Sequence, residues 1–326
     1  MKKSKILSGA MTRRAFVGRT MAAGIISEPN HPMNRRSFLK TTMAGAAAAA
    51  FAPVASAASK RNLRKAIMYS TIGIKGSVLE KFRALKEAGF EGVEAMGGMN
   101  RDEVLAAFKE TGLQAASVCD HIHWVKTLSA PDEATRKLGL DGLLQSLHDA
   151  KFYGTDSVLL VPGIARDGVS YEQCWERSIG EIKKAIPVAK ELGVKISIEN
   201  VGNNFITKPE QAVDYLDAIN SEWVGFHFDI GNVGRNYGPA ERWIEVLGKR
   251  IVRIHIKDFS TTPPAPGARG ERPKLLDGGT NWRAVMAALD RAGYQGWAIS
   301  EQPANQAADV ESARDMAQRM DKIFAL

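Results

Sequence analysis

The sequence predicts an α/β protein with a single (β/α)₈ (TIM) barrel that follows a cleavable export signal. Two observations favour this fold class. Eight short apolar runs alternate with helical patterns from Lys65 onward, and two similar segments, Ala88-Gly-Phe-Glu-Gly92 and Ala292-Gly-Tyr-Gln-Gly296, precede two of these runs. Eight strand–helix units are the number that closes a parallel barrel. An open, doubly wound sheet is the alternative, but no Gly-x-Gly-x-x-Gly motif follows the first run.

The predicted strands are short and mostly apolar, as the buried strands of a parallel sheet are. In chain order they are Ala66–Thr71, Gly92–Met96, Gln114–Cys119, Ser157–Val161, Lys195–Glu199, Val224–Asp229, Ile251–Ile256 and Trp297–Ser300. In a barrel, the C-terminal ends of all strands meet at one face, and catalytic groups lie there. Polar residues at these strand ends are therefore the first candidates for a functional site.

The predicted helices have apolar residues at three- and four-residue spacing, so each can pack one face against the sheet. They are Leu79–Ala88, Asp102–Thr111, Glu133–Phe152, Tyr171–Leu192, Pro209–Ala218, Ala240–Gly248, Asn281–Ala292 and Val310–Phe324. Glycine adopts the left-handed conformation past a helix end at little cost. Such glycines follow several of the predicted helices: Gly89, Gly112, Gly154, Gly193 and Gly293.

The net charge of +8 comes from the N-terminal segment rather than from the body of the chain. Residues 1–57 carry nine Lys or Arg and one acidic residue, Glu28, which leaves 35 basic and 35 acidic residues from Ala58 onward. A neutral body has no overall field that attracts nucleic acid or an anionic membrane. The charge distribution therefore argues against nucleic acid as a partner.

Residues 1–57 have the pattern of a targeting segment, and residues 58–326 then form the barrel domain. Met33-Asn-Arg-Arg-Ser-Phe-Leu-Lys40 resembles a twin-arginine export signal, and an apolar run and the cleavage pattern Ala55-Ser56-Ala57 follow it. Met33 is a second candidate for the true start of the chain. The apolar run is too short to span a bilayer, so no stable membrane anchor is expected. We expect the twin-arginine export machinery as a partner and a periplasmic or secreted location.

Four of the predicted strands end with a side chain that can bind a metal. Glu199, Asp229 and Glu301 end or directly follow apolar runs, and His255 lies near the end of the run Val252-Arg-Ile-His-Ile-Lys-Asp258. Three hard oxygen donors and one imidazole suit a divalent cation. Because barrel strand ends meet at one face, these four side chains are expected at one site.

Five motifs, in this order and at these spacings, resemble those of one enzyme family. They are Ile198-Glu-Asn200, Phe228-Asp-Ile-Gly-Asn232, Ile254-His-Ile-Lys-Asp258, Leu275-Leu-Asp-Gly-Gly-Thr-Asn-Trp282, and Gly293-Tyr-Gln-Gly296 before Ser300-Glu301. From about Lys65 to the C-terminus, the chain is similar to the sugar phosphate isomerase/epimerase family, whose fold is the xylose isomerase-like TIM barrel. The resemblance implies one divalent metal, often Mn²⁺, with Mg²⁺, Co²⁺ or Zn²⁺ as alternatives. Its ligands would be the residues that match Glu199, Asp229, His255 and Glu301.

The resemblance further implies that Glu199 and Glu301 transfer protons. A metal that binds a carbonyl and its neighbouring hydroxyl acidifies the carbon-bound proton and stabilises the enediolate that forms. A carboxylate on each side can then remove and return that proton. Delivery to the opposite face gives epimerisation, whereas same-face transfer between adjacent carbons gives aldose–ketose isomerisation.

Two residues depart from the family's pattern. Some members have histidine three residues after the aspartate of the sixth strand, where this chain has Asn232. An amide can hold a substrate hydroxyl but does not titrate near neutral pH. The loop before the predicted helix Asn281–Ala292 commonly reads Leu-Gly-Glu-Gly, and here Leu276 replaces the first glycine. Both departures bear on the substrate more than on the metal.

Three residues after the third strand are candidates for substrate binding. His121 and His123 can bind sugar hydroxyls, and the indole of Trp124 can pack on an apolar sugar face. An ordinary hydrogen-bonded loop is the alternative for all three.

Five further residues are placed near the same face. Asn232, Lys257, Glu94 and Arg269 are candidates for substrate binding, with an ion pair inside the barrel as the alternative for Lys257 and a solvated loop as the alternative for Arg269. His227 shares a strand face with Asp229 but lies one layer deeper. It is therefore expected to orient a metal ligand from behind, as outer partners of metal sites commonly do.

The first functional hypothesis is a divalent-metal-dependent isomerase or epimerase of a free sugar or keto-sugar, with a small carbohydrate as the partner. A second keeps the site but expels a group from the β-carbon, giving a lyase or dehydratase acting on keto-glycosides or inososes. An AP-endonuclease-like phosphodiesterase would need more metal ligands and a basic DNA face. A non-catalytic sugar binder would require a degraded metal set. The oligomeric state stays open and includes a homo-oligomer.

Overall fold

The computed structural model describes residues 61–262 and 272–326 of the chain. Eight parallel strands pair in sequence order and close a barrel, which confirms the predicted fold class. The predicted signal segment, residues 1–57, lies outside the described residues. Within the two described ranges, no helix is long and apolar enough to cross a membrane.

The observed strands agree with the predicted ones except at the first. They are β1 Leu63–Met68, β2 Gly92–Met96, β3 Gln114–Cys119, β4 Ser157–Leu160, β5 Lys195–Glu199, β6 Val224–Asp229, β7 Ile251–Ile256 and β8 Gly296–Ser300. β1 ends before the predicted Thr71 because Tyr69–Thr71 form a 3₁₀ turn. β1 pairs with both β2 and β8, and this pairing closes the barrel.

The helices pack their apolar faces against the outside of the barrel. They are α1 Val78–Ala88, α2 Arg101–Thr111, α3 Glu133–Tyr153, α4 Tyr171–Leu192, α5 Pro209–Ile219, α6 Ile230–Asn236, α7 Ala240–Leu247, α8 Trp282–Ala292 and α9 Val310–Phe324. Ser77 and Ser170 form capping boxes at the starts of α1 and α4. All five predicted glycine stops directly follow their helices with positive φ, which confirms that part of the sequence analysis.

The sequence does not predict α6, the short helix that directly follows β6. Gly231 and Gly234 interrupt its apolar periodicity, yet glycine is needed at both positions. A Cβ on Gly231 would lie 2.7 Å from the backbone oxygen of Lys257, and one on Gly234 would meet the ring of Phe259. α6 therefore packs directly against the segment after β7. Asp229 begins this helix, because its Oδ1 accepts a 2.7 Å hydrogen bond from the amide of Asn232.

The side chains of β7 and of Lys257, directly after it, show how polar groups enter the barrel. Strand alternation directs Arg253, His255 and Lys257 inward. Arg253 stays near the N-terminal end, where its Nε donates to the carbonyl of Ala116 at 2.8 Å and its guanidinium pairs with Asp156. His255 and Lys257 therefore lie one and two layers closer to the C-terminal face.

Candidate metal centre

Four acidic and imidazole side chains converge at the C-terminal face of the barrel. Glu199 and Asp229 end β5 and β6, His255 lies next to the end of β7, and Glu301 directly follows β8. One candidate ligand atom from each lies within 4.8 Å of the others. The structure thus brings together the four residues that the sequence analysis placed at one site.

The Nδ1 atom of His255 lies at the middle of the three carboxylates. It is 3.1 Å from Glu199 Oε1, 3.4 Å from Glu301 Oε2 and 3.7 Å from Asp229 Oδ2. Asp229 and His255 are fully buried, whereas the side chain of Glu301 is 22% exposed. The cluster is therefore open to solvent on its Glu301 side, where a substrate can approach.

Lys257 adds a buried cation to this cluster. Its Nζ lies 3.0 Å from Asp229 Oδ2, donates to Asn232 Oδ1 at 3.2 Å and pairs with Glu301. Burial by itself lowers the pKa of Lys257, but Asp229 and Glu301 together raise it above its ordinary value. Lys257 therefore remains an ammonium group that contacts two of the candidate ligands.

A second layer of polar side chains lies directly beneath His255. Glu94 Oε2 is 2.9 Å from His255 Nε2, and the His227 ring centroid is 4.2 Å from that of His255. Both side chains are fully buried. Among the described residues, Glu94 Oε1 and both ring nitrogens of His227 have no hydrogen-bond partner. The structure thus places His227 in the deeper layer expected of it, and it places Glu94 there too rather than in the wall of a cavity.

The two glutamates of the cluster differ in their affinity for protons. Burial, together with the nearby Glu301 and Asp229, raises the pKa of Glu199 to about 7, and His255 only partly opposes this rise. Burial would also raise the pKa of Glu301, but Lys257 and His255 hold it well below its ordinary value. Without another cation, Glu199 therefore retains a proton more readily than Glu301 does.

The composition of the cluster fits a divalent metal. Glu94, Glu199, Asp229 and Glu301 are four carboxylates, and the cations beside them are Lys257 and, when protonated, His255. The four carboxylates outnumber these cations, even when His255 is protonated. A divalent ion would reduce this excess of negative charge, and carboxylate oxygens with one imidazole suit Mn²⁺, Mg²⁺, Co²⁺ or Zn²⁺. Glu199, Asp229, His255 and Glu301 are the residues that could hold it.

A cavity of roughly 240 Å³ lies over this cluster. His123, Trp124, Met68 and Leu159 form part of its wall, with Glu199, His255, Lys257 and Glu301 at the cluster. Its volume is below the 300–1,000 Å³ typical of drug-sized ligands, which suits a small molecule.

A larger, polar cavity of roughly 530 Å³ adjoins the first in the described part of the chain. Asn232, Lys257, Gly202 and Arg272 line both cavities. Arg235 and Arg272 bring guanidinium groups to the larger one. A ligand seated at the cluster can therefore extend into a second, positively charged space.

The predicted substrate-binding residues after β3 fall at different places. His123 is buried, and its Nδ1 accepts a hydrogen bond from the amide of Val161 at 3.2 Å. Burial lowers the pKa of His123 to about 3, so the ring is neutral and its proton lies on Nε2. Trp124 is 47% exposed at the cavity wall. His121 is exposed, and its ring lies next to Gly98. It lines neither of the two cavities.

Asn232 and Arg269 are the remaining predicted substrate-binding residues. Asn232 lies between the two cavities and donates through Nδ2 to the carbonyl of Asn200 at 3.0 Å. Arg269 lies outside the described residues. Arg272, at the end of the same Pro- and Gly-rich stretch, lines both cavities instead. Its position after a long Pro- and Gly-rich stretch was the available signal.

Asp258 has a structural role at this face that was not predicted from the sequence. Its carboxylate accepts hydrogen bonds from the amides of Phe259, Leu276, Gly278 and Thr280, from the Thr280 hydroxyl and from the Trp282 indole. Its place in the motif Ile254-His-Ile-Lys-Asp258 was the available signal. Asp258 thus ties the loop before α8 to the end of β7.

The same contacts stabilise the backbone conformation of Leu276, at a position where the resemblance predicts glycine. Leu276 has φ of 74°, a left-handed conformation that costs a non-glycine residue about 1–2 kcal/mol. Its amide donates to Asp258 Oδ2 at 3.1 Å. The hydrogen bond to Asp258 therefore helps to hold Leu276 in a conformation that glycine adopts at lower cost.

Two family models match separate parts of the chain. A family model described as xylose isomerase-like TIM barrel matches residues 82–323. A model of the twin-arginine translocation pathway signal sequence matches residues 32–52, which confirms the predicted signal. L-ribulose-5-phosphate 3-epimerase UlaE of Salmonella paratyphi C is 26% identical over 260 residues, covering 73% of this chain and 87% of that protein.

Solved structures share the fold at low sequence identity. The 3-keto-D-glucoside 4-epimerase YcjR from E. coli aligns with a TM-score of 0.67 and 19% identity, covering 82% of this chain and 100% of that one. The IOLI protein with a bound zinc atom aligns with a TM-score of 0.68 and 16% identity, covering 80% and 98%. At these identities the likeness concerns the barrel alone.

Proposed function

The chain belongs to the xylose isomerase-like TIM barrel family, and from this premise we propose that it is a metal-dependent isomerase or epimerase of a free sugar or keto-sugar. The convergence of Glu199, Asp229, His255 and Glu301 carries the proposal. The names of two similar proteins agree with it, since one is a 3-epimerase of L-ribulose 5-phosphate and the other a 4-epimerase of 3-keto-D-glucoside.

The metal is proposed to be Mn²⁺, held by Glu199, Asp229, His255 and Glu301. The buried excess of carboxylates supports a divalent ion, and the zinc of the IOLI protein supports only that a related barrel can hold a metal. When bound, a divalent ion would polarise a substrate carbonyl and stabilise negative charge on its oxygen. All remaining steps belong to side chains of this protein.

Glu199 and Glu301 are proposed to exchange protons with the substrate carbons. Both carboxylates contact His255 Nδ1, yet they belong to different strands and so reach the cavity from different sides. One glutamate removes the proton next to the carbonyl, and the other returns a proton. Return to the opposite face inverts the carbon, whereas transfer by one glutamate between adjacent carbons moves the carbonyl.

Other cavity residues are proposed to hold the sugar. The Nε2–H of His123 can donate to a hydroxyl, and Trp124 can pack against an apolar sugar face. Lys257 can donate to a developing negative oxygen, because its position between Asp229 and Glu301 keeps it charged. Asn232 places an amide in the wall of the same cavity.

An alternative function is a lyase or dehydratase of keto-glycosides or inososes at the same centre. The observation that favours it is the adjoining cavity of roughly 530 Å³, which can receive a group attached to the sugar. After the proton next to the carbonyl is removed, that group could leave from the β-carbon with its bonding electrons. The glutamate roles would be unchanged up to that point.

The test is product analysis with the mature protein beginning at Ala58. We expect protein stripped with a chelator and reloaded with Mn²⁺ to incorporate deuterium from D₂O next to the carbonyl of one free sugar or 3-keto-sugar. NMR would show an epimer or ketose as the product. New unsaturated products and a released group would instead favour the lyase. If none of the free sugars and 3-keto-sugars tested shows deuterium exchange or conversion, the proposed function is wrong.

We further propose that the protein is exported to the periplasm or beyond, which favours a free sugar as its substrate. The support is the signal match over residues 32–52 and the pair Arg35 and Arg36.

Replacing both arginines by lysine should keep the precursor in the cytoplasm, because this export pathway recognises the arginine pair. Fractionation and N-terminal sequencing measure the result, with Arg13→Lys/Arg14→Lys as the matched control that should still be exported. Unchanged export of the Arg35→Lys/Arg36→Lys variant would contradict the assignment.

A further inference from the structure

We infer that Glu94 is a positioning residue that fixes which nitrogen of His255 faces the metal, an inference that rests on the proposed metal centre. The carboxylate of Glu94 lies on the side of His255 away from the three candidate ligands. Its Oε2 is 2.9 Å from His255 Nε2, across 161 positions of the sequence. Glu94 is fully buried, so it has no surface that a substrate could reach.

The role follows from the chemistry of imidazole. A neutral imidazole has one nitrogen that carries a proton and one that offers a lone pair. An ionised carboxylate can only accept, so Glu94 requires the proton to lie on Nε2. The lone pair then lies on Nδ1, which is the nitrogen directed toward Glu199, Asp229 and Glu301. Glu94 thereby selects the tautomer that can bind a cation at this centre.

His227 lies next to both Glu94 and His255. Its Nδ1 lies 4.0 Å from Glu94 Oε1, and both of these atoms lack a hydrogen-bond partner among the described residues. Its ring packs edge-on against His255, with an interplanar angle of 70°. Glu94 therefore lies between two buried histidines, and His227 limits rotation of the His255 ring. A small closing movement would let His227 donate to the free oxygen of Glu94.

The first test compares Mn²⁺ affinities of chelator-stripped mature proteins, measured from the EPR signal of free Mn²⁺. Glu94→Gln should weaken binding by about 10–100-fold, the usual effect of losing an outer partner of a metal ligand. The new amide can donate to Nε2 and so place the imidazole proton on Nδ1, facing the metal. Glu94→Asp keeps the carboxylate at shorter reach and should recover part of the affinity.

Glu181→Gln is the matched control. Glu181 is also a buried glutamate, but it lies on α4 and pairs with Arg136 and Lys184. This variant should bind Mn²⁺ like the native protein, and circular dichroism checks that all variants are folded. Native affinity in folded Glu94→Gln would overturn the inference while leaving the metal centre intact.

A second measurement needs no variant. In Zn²⁺-loaded native protein labelled with ¹⁵N-histidine, long-range ¹H–¹⁵N spectra report which nitrogen of each imidazole is bound to metal. His255 should show metal-bound Nδ1 and protonated Nε2. Metal on Nε2 would overturn the inference even if Glu94→Gln failed to fold. If the native protein binds neither Mn²⁺ nor Zn²⁺, the proposed metal-dependent function fails as well, and the two failures are thereby distinguished.

Discussion

Glu199→Gln and Glu301→Gln are each expected to lower turnover by about 10²–10⁴-fold, the usual contribution of a positioned general base. Glutamine keeps the shape and one oxygen donor of the side chain but cannot accept a proton near neutral pH. Each variant should therefore retain part of its metal while losing proton transfer. The measurements are initial rates and the exchange of the substrate proton next to the carbonyl with D₂O.

The two variants should differ in what they retain. The surroundings of the two glutamates differ, since burial raises the pKa of Glu199 to about 7 whereas Lys257 and His255 keep the pKa of Glu301 well below its ordinary value. A bound cation favours the ionised form of both. If only one glutamate removes the proton, its variant loses exchange, and the other variant keeps exchange but loses net conversion. That outcome would assign each glutamate to one step.

Glu181→Gln again serves as the control, because it removes a buried carboxylate of α4 that pairs with Arg136 and lines neither cavity. It should turn over substrate like the native enzyme. If both active-site variants also exchange and convert at native rates, the two-glutamate mechanism is wrong. His123 and Lys257, which line the same cavity, would then be the next candidates for proton transfer.

His255→Ala is expected to lose the bound metal almost completely. The loss of metal affinity should exceed the roughly 10–100-fold loss that follows removal of an outer partner. His255 supplies the only nitrogen in the cluster of four candidate ligands in the described chain. Its removal also leaves the buried Glu94 carboxylate without the hydrogen bond to Nε2, and an unsatisfied buried acceptor costs about 1–3 kcal/mol, or more when it is charged. Elemental analysis after gel filtration measures the metal, and urea denaturation measures the stability.

His255→Gln separates the two consequences. Its amide nitrogen can still donate to Glu94, while its neutral amide oxygen is a weaker donor to a metal than the imidazole nitrogen. This variant should therefore bind metal more weakly than the native protein and regain much of the stability lost in His255→Ala. His148→Ala, at an exposed position on α3, is the control for losing an imidazole. Equal metal content in the native protein and both His255 variants would show that His255 is not a ligand.

Much of the fold could be predicted because it follows from local patterns. Apolar runs of four to six residues placed seven of the strands within about one residue, and the glycine stops located five helix ends. The first strand was displaced because Tyr69 continues its apolar run, although the chain turns there. The helix α6 was missed because its two glycines serve close packing against Lys257 and Phe259 rather than a turn.

Some residues of the candidate site could also be predicted from local pattern, and others could not. Local pattern was sufficient for the four strand-end donors, since a residue at the C-terminal end of a barrel strand must face the common mouth. It was not sufficient for Glu94, whose partner His255 lies 161 positions away, or for Asp258, whose hydrogen bonds gather a loop up to 24 positions further along. Which residues touch depends on strand register and on closure between β1 and β8. These arise only when the barrel assembles, because contacts between distant strands leave no periodic trace along the chain.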